Sequence, residues 1–346
     1  MVRKIIISSI FALCYLVGFS QGNFFFNQHY GGGETIPDVP LTESKIFAAC
    51  VRDGSETGYI YISNDYGSTW SATSDQKDWN EVSISATGKY VLAAPNDAQY
   101  FVLSEDSGAT WSTMMSYPTN DWECCAISST GQFMYIAATS SYGSDGLLYK
   151  SSDYGSTFNG VSYPTSYFYK LECSGNGQYL LGSPNVGLYM SDDYGATWTQ
   201  LSIDNLWGIN SISISEDGQF MIVAGDNTTT DYLWISFDYG ENWDAILSGS
   251  SGTINSASMS ANGMYVSYVG SYGDIYYSSD YGTSWTRGYD AQFYSTGSGS
   301  ISVSYGGQYQ ISVINPGYLH VSTNYGVSWT TKTLLGEKYW YDVDSR

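Results

Sequence analysis

Histidine occurs only at His29 and His320 in this 346-residue chain, so a histidine-based zinc site or a histidine-dependent catalytic triad has little to draw on. Cysteine is almost as scarce. Cys14 lies in the leader described below, and Cys50, Cys124, Cys125 and Cys173 remain. Four cysteines in so long a chain do not make a disulfide scaffold, and no CxxC pair occurs, so an apolar core must hold the fold. Basic residues number 12 against 33 acids, for a formal charge of −21. Nucleic acid is disfavoured as a partner, because binding it needs clustered Lys and Arg. Proline is limited to 7 residues, and no long window after residue 22 has helical periodicity. No P-loop, GxSxG elbow, HExxH or EF-hand loop is present, and no cofactor or metal is expected.

Abundant residues point the other way. There are 38 Gly, 34 Tyr and 11 Trp, a composition of strands and tight turns. Met1 to Gly22 stands apart: Arg3 and Lys4 precede an apolar run from Ile5 to Phe19, and small residues follow. It reads as a secretory signal peptide, with an uncleaved membrane anchor as the rival reading. Losing Arg3 and Lys4 and no acid takes the charge to −23. The expected organisation is a leader over 1–22, an extension over 23–43 and one domain over 44–346. The expected location is extracellular, or periplasmic in a bacterium, with no membrane insertion after cleavage. Oligomeric state is left open.

Within that domain one pattern, Ser-x-Asp-x-Gly-x-Thr-Trp, recurs seven times with substitutions. Its acid falls at Asp65, Asp106, Asp153, Asp193, Asp238, Asp280 and, as a variant, Asn324. The intervals run from 40 to 47 residues. A second pattern, Ser-x-x-Gly-x-aromatic, alternates with it, at Ser85, Ser128, Ser174, Ser215, Ser260 and Ser304. Two turn signals per period of this length fit four short strands, one blade of a propeller. The fold class is therefore all-β, a seven-bladed propeller of four-stranded antiparallel blades. In each blade strand A leads to the Ser motif, B follows it, and the acidic motif joins C to D. A carboxylate accepts bonds from turn N–H groups, Gly takes φ > 0, the Thr hydroxyl ties the turn back, and Trp buries apolar surface. The motif is expected to be structural.

This pattern resembles the Asp-box, or BNR repeat, of sialidase-like propellers, xyloglucanases, sortilin receptors and photosystem II assembly factors, over roughly residues 44–345. The resemblance implies the propeller fold and places the boxes at the blade periphery. A sialidase site implies three arginines; beyond the leader only Arg52, Arg287 and Arg346 occur, and Arg-Ile-Pro is absent. Xyloglucanases imply two propellers with a groove between them. The assembly factors imply an arginine-rich patch that this acidic chain lacks.

Closure is legible too. Residues 338–346 match 78–85, Trp340 on Trp79 and Val343 on Val82, whereas the first box has strands B and C before it but no clear A. Residues 339–345 are thus expected to complete the first blade, leaving no open edge.

Both motifs lie on one face of the ring, and the D–A and B–C loops lie on the other, where binding is expected. Aromatics cluster where strand A begins: Trp79, Trp122, Phe168, Trp207 and Trp340, with Tyr167 and Tyr339 adjacent and Tyr294 on the longest D–A loop. Asp78, Asp121 and Asp204 lie near them. Two readings stand: packing between blades, or stacking platforms for a glycan or peptide. Function divides likewise between a secreted non-catalytic propeller that binds a glycan or extracellular protein and a glycoside hydrolase or lyase with a carboxylate pair on the loop face. Asn227 opens the one N-glycosylation sequon, meaningful in a eukaryotic secretory pathway. Cys124 and Cys173 sit four and one places before their motif Ser on neighbouring strands A. A Cys124–Cys173 bridge across that gap and four buried thiols are both open.

Overall fold

The computed structural model describes residues 46–345 apart from 54–55, 97–98, 118–119, 140–146, 163–166, 185–186, 204–205, 207, 227–230, 249–252 and 292–298. Seven sheets of four antiparallel strands each form a β-propeller. In blade 1 the strand Trp340–Asp344 pairs with Phe47–Asp53, which leads on to Glu56–Ser63 and Ser71–Ala72. The last strand of the chain therefore supplies the innermost strand of the first blade, in the register Ala48↔Asp344 and Ala49↔Val343. The inner strands of blades 2 to 7 are Trp79–Ile84, Asp121–Ile127, Lys170–Cys173, Gly208–Ile214, Ile254–Met259 and Gly299–Val303.

Alternation along these strands divides the side chains. Val82 and Ile84 pack with Ala48, Cys50, Ile60 and Ile62 of blade 1, whereas Glu81 and Ser83 turn to the axis. The core is therefore a series of apolar layers between blades, each built from two successive sheets.

The Asp-boxes are the C–D turns. In the first, Ser63 Oγ donates to Asp65 Oδ1 (2.9 Å), and Gly67 N–H donates to Ser63 Oγ (2.8 Å). Thr69 donates through its N–H to Oδ1 (2.7 Å) and through its hydroxyl to Oδ2 (2.8 Å). Asn324 preserves the design by accepting from Ser328 N–H at 3.0 Å and donating to its hydroxyl at 3.0 Å. Gly67 has φ of 74°, and Tyr66 before it has φ of 56°, so two successive residues are left-handed. Every box repeats this, with Tyr at the non-glycine position except at Ser107. The bonds hold Asp106 and Asp153 below the ordinary carboxylate range, led by the Thr110 and Thr157 hydroxyls. At Asp65 and Asp193 burial works the other way, and the bonds from Thr69 and Thr197 outweigh it.

Of the two open readings of the cysteines, the structure has the four buried free thiols and no Cys124–Cys173 bridge. Cys124 and Cys173 do share one apolar layer. They are three positions apart along neighbouring strands A, roughly 10 Å of rise at about 3.3 Å per residue, beyond the ~7 Å a bridge spans. Cys124 instead donates to Phe168 O at 3.5 Å.

Candidate functional site

An innermost strand has a hydrogen-bonding partner on one side only. Its other edge faces the axis with free N–H groups, each costly if left unpaired. Here the preceding blade supplies the acceptors. Ser83 Oγ accepts from Ile127 N–H (3.1 Å), Ser211 from Ala257 (3.1 Å), Ser213 from Met259 (3.2 Å), Ser256 from Ile301 (3.3 Å) and Ser258 from Val303 (3.1 Å). At the seam the hydroxyls give way to carboxylates. Asp342 accepts from Val82 N–H (3.1 Å) and Asp344 from Ile84 N–H (2.8 Å). Ser300 and Ser302 also donate to these two acids, at 2.9 and 3.2 Å.

The same side chains enclose a central channel of about 360 Å³. Counted back from the motif Ser, or in blade 1 from position 346 by the match of Trp340 to Trp79, its wall is two columns. Position −4 supplies Glu81, Lys170, Ser211, Ser256, Ser300 and Asp342; position −2 supplies Ser83, Glu172, Ser213, Ser258, Ser302 and Asp344. In blade 3 these positions are Cys124 and Ala126, which pack in the apolar layer with blade 4, and Cys125 lines the channel instead. Five inner strands carry a β-bulge just before position −4, between Trp79 and Glu81 in blade 2 and at the matching place in blades 1, 3, 5 and 6. A bulge re-aims the extra residue, and Asn210, Asn255 and Tyr341, all one place before −4, join the channel lining.

Charge concentrates on one side. Lys170 Nζ lies 4.0 Å from Glu81 Oε2. Burial opposes the ammonium of Lys170, but Glu81 and Asp342 outweigh it and hold its pKa above the lysine range. Burial raises Glu81 well above the glutamate range against the pull of Lys170, with Asp342 adding to the rise. Burial also raises Asp342 and pushes Asp344 up to about 7. The Lys170 side chain keeps 37% of its accessible surface, so channel water screens these attractions. At the motif-face end Ser129 Oγ donates to Glu216 Oε2 at 2.5 Å, across blade 4. There backbone N–H groups link successive A–B turns, from Ala86 to Ser129, Gly175, Glu216, Ala261 and Tyr305.

At the other end the aromatics divide. Trp79, Trp122, Phe168 and Trp340 are fully buried. The indoles of Trp79, Trp122 and Trp340 donate to Gly58 O (3.0 Å), Gln99 O (2.9 Å) and Gly317 O (3.2 Å) of the preceding blades. These four rings are inter-blade packing and present no stacking surface: in blades 1, 2 and 3 the indole stands just before the bulge and turns into the layer between blades, and Phe168 packs in the layer of blades 3 and 4. Tyrosines form the exposed rim instead: Tyr339 at 48%, Tyr341 at 39% and Tyr169 at 39%. Tyr169 donates to the half-buried Tyr167 hydroxyl at 3.2 Å. Arg52 lies 3.5 Å from Asp78, with its guanidinium 4.8 Å over the Tyr341 ring. Asn96 also donates to Asp78, at 3.1 Å. Asp121 is half-buried at the start of its inner strand. Asp204, Trp207, Tyr294 and Asn227 lie outside the described residues. Of the other loop acids, Asp274 and Asp290 both pair with Arg287.

Sequence reasoning assigned no site role to Glu81, Lys170, Asp342 or Asp344. The signal was available: aligning six strands A on their motif Ser, and the closing strand by Trp340 on Trp79, puts the charges in two columns that are otherwise mostly serine. Among the described residues no group of His, Cys, Asp or Glu is arranged to hold a metal ion, and no helix is long and apolar enough to cross a membrane.

Solved structures share the fold at low identity. YCF48 from Cyanidioschyzon merolae matches with a TM-score of 0.56 at 10% identity, over 75% of this chain and 86% of that one. A structure described as YCF48 bound to D1 peptide matches with a TM-score of 0.53 at 13% identity, over 74% and 81%. An ancestral GH74 enzyme matches with a TM-score of 0.57 at 12% identity, over 88% of this chain but 46% of that one. Curated protein sequences give no significant match. The family described as "Photosynthesis system II assembly factor YCF48" matches residues 119–296, just over half of the chain, and the protein belongs to that family.

Proposed function

We propose that this propeller is a non-catalytic binding protein that holds a segment of a partner polypeptide on its loop face, outside the cytoplasm once Met1–Gly22 is removed. The observation that carries this reading is the rim of half-exposed Tyr339, Tyr341 and Tyr169 around the channel mouth, beside the Arg52–Asp78 pair. Tyrosine gives large contact area with a polar tip, the chemistry enriched at protein interfaces. Of the tryptophans that would have made sugar platforms, Trp79, Trp122 and Trp340 are enclosed, which favours a polypeptide over a glycan. A family relative has been solved with a peptide bound, which supports the same reading. Asp342 and Asp344 spend their oxygens on backbone N–H groups and serine hydroxyls, a structural use rather than an acid–base one.

The test is selection from a random peptide library on immobilised protein, alongside a glycan array and a polysaccharide turnover screen. Selected peptides should lose at least about tenfold in affinity for a Tyr339→Ser/Tyr341→Ser variant, the loss of one well-packed anchor. Glycan binding without peptide binding, or turnover abolished by Glu81→Gln, would replace this reading with the other two. Mass analysis of the exported protein should give a chain beginning near Asn23; an intact N-terminus would remove the secretion proposal.

A further inference from the structure

The channel behind the tyrosine rim has a chemistry of its own. Its wall carries four carboxylates, Glu81, Glu172, Asp342 and Asp344, and a single ammonium, Lys170. Asp342 and Asp344 are anchored to backbone N–H groups of blade 2 and cannot swing away. Glu81 is held too, by the backbone N–H of Cys125, but its Oε2 is shielded from solvent and makes no hydrogen bond, with Lys170 Nζ 4.0 Å away. An oxygen in that position lacks a donor that a ligand could bring. At the motif-face end the Glu216–Ser129 bond ties the A–B turns of blades 3 and 5 together; the loop-face end is taken as the entrance, because Tyr341 lines the channel there. On that side the ring of Tyr341 joins the channel wall and already lies under one cation, the Arg52 guanidinium. An aromatic collar in front of excess carboxylates is the arrangement that attracts a positive charge.

We infer that the channel is a binding site for a primary alkylammonium group, entering past Tyr341 and donating to Glu81 beside Lys170. From the residue before position −4 to position −2 the wall is three residues deep, about 10 Å at 3.3 Å per residue. That depth suits an unbranched chain ending in an ammonium. Burial raises both Glu81 and Asp342, and Asp342 adds to the rise at Glu81, so an arriving cation shifts both carboxylates towards ionisation. If the ammonium is a partner's lysine, the site rests on the polypeptide-binding reading above. A free polyamine would use the same chemistry without it.

Calorimetric titration of the purified protein decides the matter. The probes are N-acetyl-lysine methylamide, its neutral norleucine analogue, and spermidine. The lysine derivative should bind, the norleucine analogue should not, and binding should release protons, read as a heat that varies with the buffer. Glu81→Gln should weaken the amine about tenfold, as expected for a lost charge-assisted bond. Lys170→Met should strengthen it by a similar factor, because the resident cation no longer competes. Melting curves on both variants establish that they are folded, and either folded variant alone suffices as a test. Equal binding of norleucine, or an unchanged affinity in Glu81→Gln, overturns the inference. A spermidine response far above that of the lysine derivative assigns the site to free polyamines. If library peptides bind through the tyrosine rim with no requirement for lysine, the channel inference fails while the polypeptide reading stands. Amine binding with no peptide selected gives the reverse.

Discussion

The ring of Tyr66 lies on that of Tyr309, with centroids 4.1 Å apart and planes 19° from parallel, across the boundary where the seventh blade meets the first. Each partner belongs to a repeated motif: Tyr66 is the left-handed residue of an Asp-box, and Tyr309 ends the Ser-x-x-Gly-x-aromatic turn. The pairing recurs around the ring as Tyr90–Tyr154, Phe133–Tyr194, Tyr179–Tyr239, Phe220–Tyr281 and Tyr265–Tyr325. Between blades 1 and 2 it is replaced on both sides at once. Ser107 stands where the other boxes have Tyr. Ile46 packs against Gly88 as Tyr90 packs against Gly131 and Phe133 against Gly177. A tyrosine with left-handed backbone is uncommon, and the stack offers a reason for keeping it.

Tyr66 and Tyr309 should therefore be coupled. A double-mutant cycle with Tyr66→Ala and Tyr309→Ala, read by denaturant unfolding, should give about 0.5–1.5 kcal/mol of interaction energy. Additive single losses would mean that the stack contributes nothing beyond burial.

Deleting residues 338–346 should cost several kcal/mol, since it removes buried Trp340 and Val343. It also strips the carboxylate acceptors from Val82 and Ile84 N–H. A truncated protein that melts at the full-length temperature would show that the first blade does not need its innermost strand.

Asp193→Ala removes the acceptor for Thr197 N–H, the Thr197 hydroxyl and the Ser191 hydroxyl. The expected loss is about 1–2 kcal/mol, measured by urea unfolding. Binding of any library-selected peptide should change little, because the box lies on the opposite face from the tyrosine rim. A large affinity loss at unchanged stability would move the ligand to the motif face.

Stability should be greater at pH 5 than at pH 8. Asp344 in the folded chain is pushed up to about 7 by burial and by Asp342, against bonds from Ile84 N–H, Ser345 N–H and Ser302. An unfolded Asp titrates near 3.9. The folded state therefore holds this proton between those values, and the stability so gained is lost as pH rises through 7. Glu81 and Asp342 are shifted in the same direction. The Asp-box carboxylates act oppositely, with lowered pKa values whose contribution is lost as pH falls below the ordinary Asp range. Urea unfolding across pH 4–9 should show a maximum on the acid side, and Asp344→Asn should flatten the fall above it. A curve that keeps rising to pH 8 would mean that the channel carboxylates are ionised at little cost.

The number of blades, the turn chemistry of the boxes and the closure of the ring by residues 340–344 were all readable along the chain. Each depends on interactions within a few residues or on a repeat of known period: a carboxylate bonded four residues on, a glycine with positive φ, an alternation of Val82 and Ile84 against Glu81 and Ser83. Even the outline of the closing strand survives in a local match, Trp340 to Trp79. The channel was not readable in that way. Glu81, Lys170 and Asp342 belong to three different blades, and Val82 and Asp342, which bond directly, are 260 residues apart. No local rule brings them together; ring closure does, by turning the same position of six strands towards one axis. The tryptophans show the converse. An aromatic at the start of an inner strand is compatible with a ligand platform or with a layer between blades, and the bulge beside it, together with the carbonyl of the preceding blade that receives its N–H, decided for the layer. Local chemistry fixes what each blade is, and the contacts between blades fix which of its side chains remain free to meet a partner.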